Sequence, residues 1–350
     1  MAQPISFGIT PEKEASKLQF LRRQFCASPP PVSRSDVDLG GKTAIVTGAN
    51  GDIGLECSRQ LLDLGLTKLI IAVRDEAKGE AARKSLTAAK ALEPGVTINI
   101  WKLDYASYES ITAFAQRAEK LSPRLDIAIL NAGVNRSSFN LSPNTGHEEI
   151  VQTNYLSSVL LMLLLLRIFE KAKTTAGSSQ SSPGRIVLVS SDTAAWAKFE
   201  EKRQKPLLPA FDQNSAQYDN NDRYATSKLL GQLFITELAK HVSPSVAIVN
   251  CANPGLCYSG LHRELGTAIA IGTRLIGRSP AVGARTFVHA ATKLGESSHG
   301  QYVEDGKLRP MAPFVYSEEG KQVTQQLWKE TMEELSFAGA QEIVASLGQA

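Results

Sequence analysis

The chain has 350 residues, 43% of them hydrophobic, and a formal net charge of +3 from 38 basic and 35 acidic side chains. That length supports one large domain or two modest ones with a real core, and the scattered basic residues form no aromatic-interleaved stripe of the kind nucleic-acid binding needs. Cys26, Cys57, Cys251 and Cys257 have neither metal-ligand spacing nor the density of a disulfide scaffold, so reduced, mostly buried thiols in a cytoplasmic protein are expected.

The first residues, Met1-Ala2-Gln3-Pro4, open no charged-then-apolar leader, so no secretory signal is expected. Residues 1–40 read as an extension. Within it, Leu18, Leu21 and Phe25 recur at helical spacing, and Pro29-Pro30-Pro31 stops the helix. An amphipathic stretch this short is marginal in isolation, so it is expected to pack on the body. A weak membrane-surface or partner contact is the alternative.

From Gly41 the pattern alternates. Strands are predicted over 43–47, 69–73, 96–103, 125–131, 185–191 and 246–251, and helices over 53–64, 76–92, 107–121, 146–173 and 224–241. Gly65 is placed to cap the first of these helices. The leucine run from Val159 to Leu166 covers about three turns with Tyr155-Leu156, short of the roughly 20 residues a membrane span requires, and reads as a buried core helix. Residues 174–184 are rich in Ser, Thr and Gly and read as a surface loop. No internal repeat is visible. Strands alternating with long helices predict an α/β fold, a single Rossmann-type doubly wound parallel sheet with helices on both faces and a site at the carboxyl ends of its strands. The expected layout is the extension, a catalytic domain over 41–340, and a tail over 341–350.

Thr47-Gly48-Ala49-Asn50-Gly51-Asp52-Ile53-Gly54 lies between the first strand and first helix. Glycines there let the chain turn close to a pyrophosphate, and the helix start supplies amides and a positive dipole end. The next strand ends Val73-Arg74. A ribose 2′-hydroxyl wants an acid at this place and a 2′-phosphate wants a cation, so Arg74 points to NADP(H) over NAD(H); the alternative is a solvated Arg74 with Asp75 serving the ribose. Asp104 ends the third strand, where it either accepts the adenine amino group or caps the next helix. Asn131-Ala132-Gly133 ends the fourth, where small residues let the chain pass a cofactor.

Of 8 tyrosines only Tyr224 has a lysine, Lys228, four residues on. On a helix that spacing stacks phenol and ammonium on one face, and the cation is expected to pull the phenol below its usual pKa of about 10. Asn154 sits inside an apolar helix, where its amide must be satisfied, by function or by backbone at a kink.

The ordered set of glycine-rich turn, Asn131-Ala132-Gly133, Asn154, Ser191, Tyr224-x3-Lys228 and Asn253-Pro254-Gly255 resembles the short-chain dehydrogenase/reductase family over about residues 41–340. Arg74-Asp75, the long spacer before Tyr224 and Leu327-Trp328-Lys329-Glu330 resemble its retinol-dehydrogenase-like branch. The extension and the Asn253–Cys257 stretch are similar to fungal members of secondary metabolism. The resemblance implies Tyr224 as general acid/base, Lys228 on the nicotinamide ribose, Ser191 on the substrate oxygen and Asn154 holding a water behind Lys228. It implies Pro254 and Ser259 beside the nicotinamide, with Gly48, Asn50, Asp52, Ile53, Gly54, Arg74, Asp104 and Asn131 lining the rest of the cofactor. Developing oxyanion charge would then meet preorganised donors, Ser191 and Tyr224.

Two positions depart from the family pattern. Asp52 stands where a glycine is usual, and Gly51 is expected to preserve the turn's freedom while Asp52 points outward. Ser259 replaces a common threonine and keeps its hydroxyl. The substrate loops are expected over 192–223, with Trp196, Phe199, Phe211 and Tyr218, and over 256–280, apolar and glycine-punctuated like a lid. A lipophilic or aromatic carbonyl or alcohol follows as the expected substrate. His147, His262, His289 and His299 show no metal-like grouping. The competing readings are a cofactor-binding scaffold, sensor or cyclase-like protein without redox turnover, and a membrane-surface retinoid-type enzyme. Monomer and homodimer are both compatible with the sequence.

Overall fold

The computed structural model describes residues 7–89, 92–175, 182–215, 218–261 and 267–348. Two N-terminal helices, α1 (Pro11–Glu14) and α2 (Lys17–Cys26), precede β1 (Thr43–Thr47), α3 (Asp52–Asp63), β2 (Lys68–Val73), α4 (Glu76–Ala89), β3 (Thr97–Lys102), α5 (Tyr108–Ala118) and β4 (Ile127–Leu130). There follow α6 (Glu149–Val151), α7 (Ser157–Thr175), β5 (Gly184–Val189), α8 (Asn220–Leu238), β6 (Ala247–Asn253), α9 (Thr267–Ile276) and α10 (Pro280–Thr292). The chain closes with β7 (Tyr302–Glu304), β8 (Lys307–Arg309), α11 (Pro313–Tyr316), α12 (Glu318–Glu334) and α13 (Ala340–Leu347).

One sheet takes the strands in the order β3-β2-β1-β4-β5-β6-β7-β8. All pair in parallel except β8, which turns back antiparallel on β7. The sequence pattern did not foresee these last two strands, because three residues are too few to show a period. Side chains alternate between faces as the pleat requires. Ile45, Ile70, Ala128 and Ile186 join α5, α7, α8, α12 and α13 on one side, while Val46, Ile71, Ile129 and Val187 join α3, α4 and α10 on the other. The order reverses between β1 and β4, and the crevice at the carboxyl ends there is where such sheets bind ligands.

The helix predicted over 146–173 is three pieces. Glu148 caps α6 with its own carboxylate, a π-turn runs over Gln152–Leu156, and α7 follows. The leucines of α7 are buried, and within the helix Glu149–Thr174, which is long and apolar enough to cross a membrane, 89% of an 18-residue apolar window is buried in the fold. The loop expected over 174–184 falls mainly outside the described residues. Helix α8 begins at Asn220 rather than at Tyr224, because Asp219 accepts the Asn221 and Asp222 amides as its N-cap. The expected C-terminal tail is instead α13, whose Ile343, Val344 and Leu347 are buried in the core beside α7.

The N-terminal helix docks, but with the other face. Leu18, Leu21 and Phe25 are 78%, 46% and 60% exposed, whereas Arg23 and Gln24 are buried. Buried polar partners on the body decided the orientation against the apolar stripe.

Candidate active site

A cavity of about 760 Å³ opens at the switch point, lined by the ends of β1, β2, β4, β5 and β6 and by Phe20 and Trp196. Gly48 has φ +66, and a Cβ there would lie 3.0 Å from the Ala132 backbone; a Cβ on Gly54 would lie 2.6 Å from Asn131 Nδ2. These two glycines let the turn press onto the end of β4, where the Asn131 amide donates to the Thr47 carbonyl at 2.9 Å. Asn50, Ile53 and Gly54 line the cavity beside the start of α3, so a phosphate there would meet helix amides and the positive end of the dipole.

Gly51 is extended, a conformation open to any residue, so it is not the source of the turn's freedom. Asp52 itself takes the left-handed conformation, φ +49, which aspartate tolerates better than most side chains. Its carboxylate is exposed and accepts the Gly260 amide at 2.8 Å. The acid therefore faces the 256–261 loop.

At the other end, Arg74 is exposed on the cavity rim with Lys78 beside it. Asp75 accepts the Lys78 amide at 3.1 Å, at the start of α4. Lys78, one turn after Arg74, was readable from its i, i+4 spacing but was not singled out. Asp104 lines the cavity and accepts the Ala106 amide at 3.0 Å. It is not the helix cap; Ser107 caps α5.

Ser191, Tyr224 and Lys228 meet in the same cavity. Lys228 Nζ donates to the Val189 carbonyl at 2.9 Å and lies 5.6 Å from the centre of the Tyr224 ring. The i, i+4 spacing thus places the ammonium against the ring and the strand end, not at the hydroxyl. The phenol is pushed up, not down: burial dominates, and a hydrogen bond with Ser191 offsets only part of it. Burial also lowers Lys228 to about 8, slightly opposed by the Cys251 thiol. Ser191 Oγ accepts from the Thr193 hydroxyl at 3.0 Å, which fixes its rotamer.

Asn154 lies on the π-turn. Its amide donates to the Val134 carbonyl at 2.9 Å and to Ser227 Oγ at 3.0 Å, and its Oδ1 accepts the Val134 amide at 2.8 Å. A Cβ on Gly133 would sit 3.1 Å from Asn154 Oδ1 and 3.6 Å from Lys228 Nζ, so the three residues share one small space. Pro254 and Ser259 line the same cavity.

The aromatic residues of 192–223 do not build the substrate wall as expected. Phe199 and Phe211 stack on each other in the core, 1% and 0% exposed. Tyr218 packs on Phe139 and donates to Glu148. Only Trp196 of that set reaches the cavity, and its aromatic partner there is Phe20 of α2, with ring centres 5.3 Å apart and edge-on. Nothing in the spacing of the extension marked Phe20. Polar lining comes from Asn135, Gln152 and the Arg136–Glu149 pair at 2.9 Å. His147 lies outside the cavity, and no cluster of metal-ligating side chains occurs among the described residues. His262 lies outside the described residues.

Fold and site together define a doubly wound α/β protein whose Ser191, Tyr224 and Lys228 share one cavity with a glycine-rich strand–turn–helix. Residues 42–200 match the family model described as short chain dehydrogenase. The chain is 52% identical to the short-chain dehydrogenase fogG of Aspergillus ruber, over 98% of this chain and 99% of that one. It is 42% identical to the short chain dehydrogenase/reductase mfmJ of Annulohypoxylon moriforme, over 94% of each chain. A crystal structure of a short chain dehydrogenase from Escherichia coli CFT073 in complex with NADPH superposes with a TM-score of 0.57 at 21% identity, covering 76% of this chain and 97% of the other, a likeness of fold. The chain belongs to the short-chain dehydrogenase/reductase family, and with it to the oxidoreductases that use a nicotinamide cofactor.

Proposed function

We propose that the protein is an NADP(H)-dependent reductase, reversibly a dehydrogenase, acting on the carbonyl or alcohol of a lipophilic or aromatic compound in fungal secondary metabolism. The carrying observation is that Ser191, Tyr224 and Lys228 share one cavity with Arg74 and Lys78. The NADPH-bound structural neighbour and the fungal relatives support the same reading.

The residues fit the cofactor. The Gly48–Gly54 turn would hold the pyrophosphate, Arg74 and Lys78 a 2′-phosphate, and Asn131, Pro254 and Ser259 the nicotinamide end. The bound nicotinamide supplies or accepts the hydride. Everything else falls to side chains of this chain. Ser191, held by Thr193, donates a hydrogen bond to the substrate oxygen. Tyr224 hands its phenolic proton to that oxygen as carbonyl becomes alcohol, and takes it back in reverse. A phenol kept protonated by burial suits the reductive direction. Lys228, 5.6 Å from the centre of the Tyr224 ring, would bind the nicotinamide ribose. Trp196, Phe20, Leu256 and Leu261 offer an apolar wall, while the unpartnered oxygens of Asn135 and Gln152 can accept from ring hydroxyls, so a hydroxylated aromatic ketone or aldehyde fits best.

The test follows NADPH absorbance with a panel of hydrophobic and aromatic aldehydes, ketones and quinones. Turnover of at least one aromatic carbonyl is expected. Consumption of small charged keto acids alone, or none of the panel with tight NADPH binding, would overturn the reading.

A further inference from the structure

Helix α2 lines the cavity with Phe20 and touches the turns after β5 and β6 through Arg23 and Gln24. Arg23, 5% exposed, is surrounded by three carboxylates: Glu14 at 2.6 Å, Asp192 at 2.7 Å and Glu304 at 3.1 Å. Asp192 is the residue after Ser191. Glu304 accepts the Asn253 amide at 3.1 Å, and Asn253 Oδ1 accepts the Gly255 amide at 3.1 Å. Arg23 thus hydrogen-bonds Asp192 of the turn after β5, and its Nε lies 3.1 Å from Glu304, without a hydrogen bond, where that acid holds the turn after β6. Gln24 adds a second link, donating to the Leu256 carbonyl at 2.9 Å and accepting its amide at 3.1 Å. Arg278 closes the back, donating to the Arg23 carbonyl at 2.8 Å and to Asp305 at 2.7 Å. On the cavity side, Trp196 donates to the Ala15 carbonyl at 2.7 Å, Lys17 lies 3.1 Å from its ring centre, and Phe20 meets it edge-on.

A buried cation among three acids is a poor way to gain stability, since desolvation offsets most of the attraction. Its use is geometric: a planar fork fixes two carboxylates in direction as well as distance. Small displacements of a substrate-holding hydroxyl are costly to catalysis. We propose that residues 11–27 are a working part of the active site, in which Arg23 positions Asp192, and through it Ser191, against the Asn253–Leu256 turn, while Phe20 with Trp196 forms the wall on which the substrate's apolar body rests. The proposal rests on the carbonyl-reductase reading for its kinetic arm only.

The full chain loaded with NADPH is compared as wild type, Arg23→Met, Arg23→Lys, Asp192→Ala and Phe20→Ala by hydrogen exchange and by reduction of 9,10-phenanthrenequinone. In Arg23→Met, amides of both 191–197 and 253–258 exchange faster by about tenfold or more, while 43–54 stay as protected as in the wild type. The kcat falls by roughly a hundredfold with the KM for NADPH nearly unchanged, and Arg23→Lys recovers part of both losses. Phe20→Ala instead raises the KM for the quinone by about five- to tenfold at nearly constant kcat. Asp192→Ala, which leaves Arg23 its other two partners, loosens 191–197 and lowers kcat, and decides the matter if Arg23→Met does not fold. Faster exchange confined to 11–27, or an unchanged quinone KM in Phe20→Ala, would overturn the proposal. If the wild type reduces no carbonyl at all, the reading of function fails and the exchange pattern alone judges the role of Arg23.

Discussion

The two halves of the cavity are held by different physics. The cofactor half is backbone on backbone: Gly48 and Gly54 let β1 and α3 press onto the end of β4, and Asn131 ties the strands together. The half proposed for the substrate is held by side chains, with Arg23, Gln24, Asp192 and Glu304 joining segments far apart in sequence through side-chain and backbone partners. The first kind of order is set by strand register and costs little to specify. The second depends on buried charges staying paired, and is the more easily disturbed.

The comparison is broken first, and most strongly, by Tyr224→Phe. Turnover should fall by roughly a thousandfold or more while NADPH affinity stays within a few-fold, as measured by fluorescence titration. Loss of both together would mean that the two halves are one unit. Next, Arg74→Ala should weaken NADPH by about ten- to a hundredfold, the scale of a lost charge-assisted hydrogen bond, with kcat at saturation unchanged and NADH barely affected. Lys78→Ala should act in the same direction and less.

Two pH effects separate the halves further. Lys228 sits at about 8, so reduction that needs its ammonium should decline as pH rises through about 8 at saturating substrate. A flat profile to well above that value would remove Lys228 from the mechanism. His147 bridges Asp212 at 2.9 Å and Glu334 at 3.0 Å on the outer support of the substrate half. Burial works against its charge, but these two carboxylates more than offset it and raise the pKa to about 9. A raised histidine pKa stabilises the fold fully below the unfolded value near 6.5 and loses that contribution as pH climbs through about 9. The amount is on the order of 1 kcal/mol after discounting for partial exposure, and His147→Gln should flatten the dependence of Tm over that window. The smallest effect is expected from Asp52→Gly. NADPH affinity should move by less than about threefold, since the carboxylate faces Gly260 and not the turn's interior. A gain of a hundredfold would show that the acid impairs the site.

The glycine-rich turn and the end of β2 could be placed from the sequence because they are local. A strand, a glycine turn and a helix follow one another, and Arg74 falls where the next strand ends. Tyr224 and Lys228 stood out by their i, i+4 spacing and Ser191 by the family resemblance, and the structure brings the three to one cavity. What spacing could not give is which partner a side chain meets. Lys228 was expected to acidify the phenol, yet it donates to Val189 and burial raises the phenol instead. Phe199 and Phe211 look like pocket aromatics in a loop-rich stretch, but they fill the core under it. Leu18, Leu21 and Phe25 form a convincing apolar stripe, yet the carboxylates waiting for Arg23 turned that stripe outward. In each case a long-range contact overruled a local pattern.

The family model matches residues 42–200, so the strut formed by α1 and α2 lies outside that stretch, as do Tyr224 and Lys228. Substitutions in that strut would change the proposed substrate wall without altering Ser191, Tyr224 or Lys228. Exchanging residues 1–40 between two relatives would transplant part of the recognition surface with them, and a chimera of that kind should inherit its taste in substrates from the donor of its first forty residues.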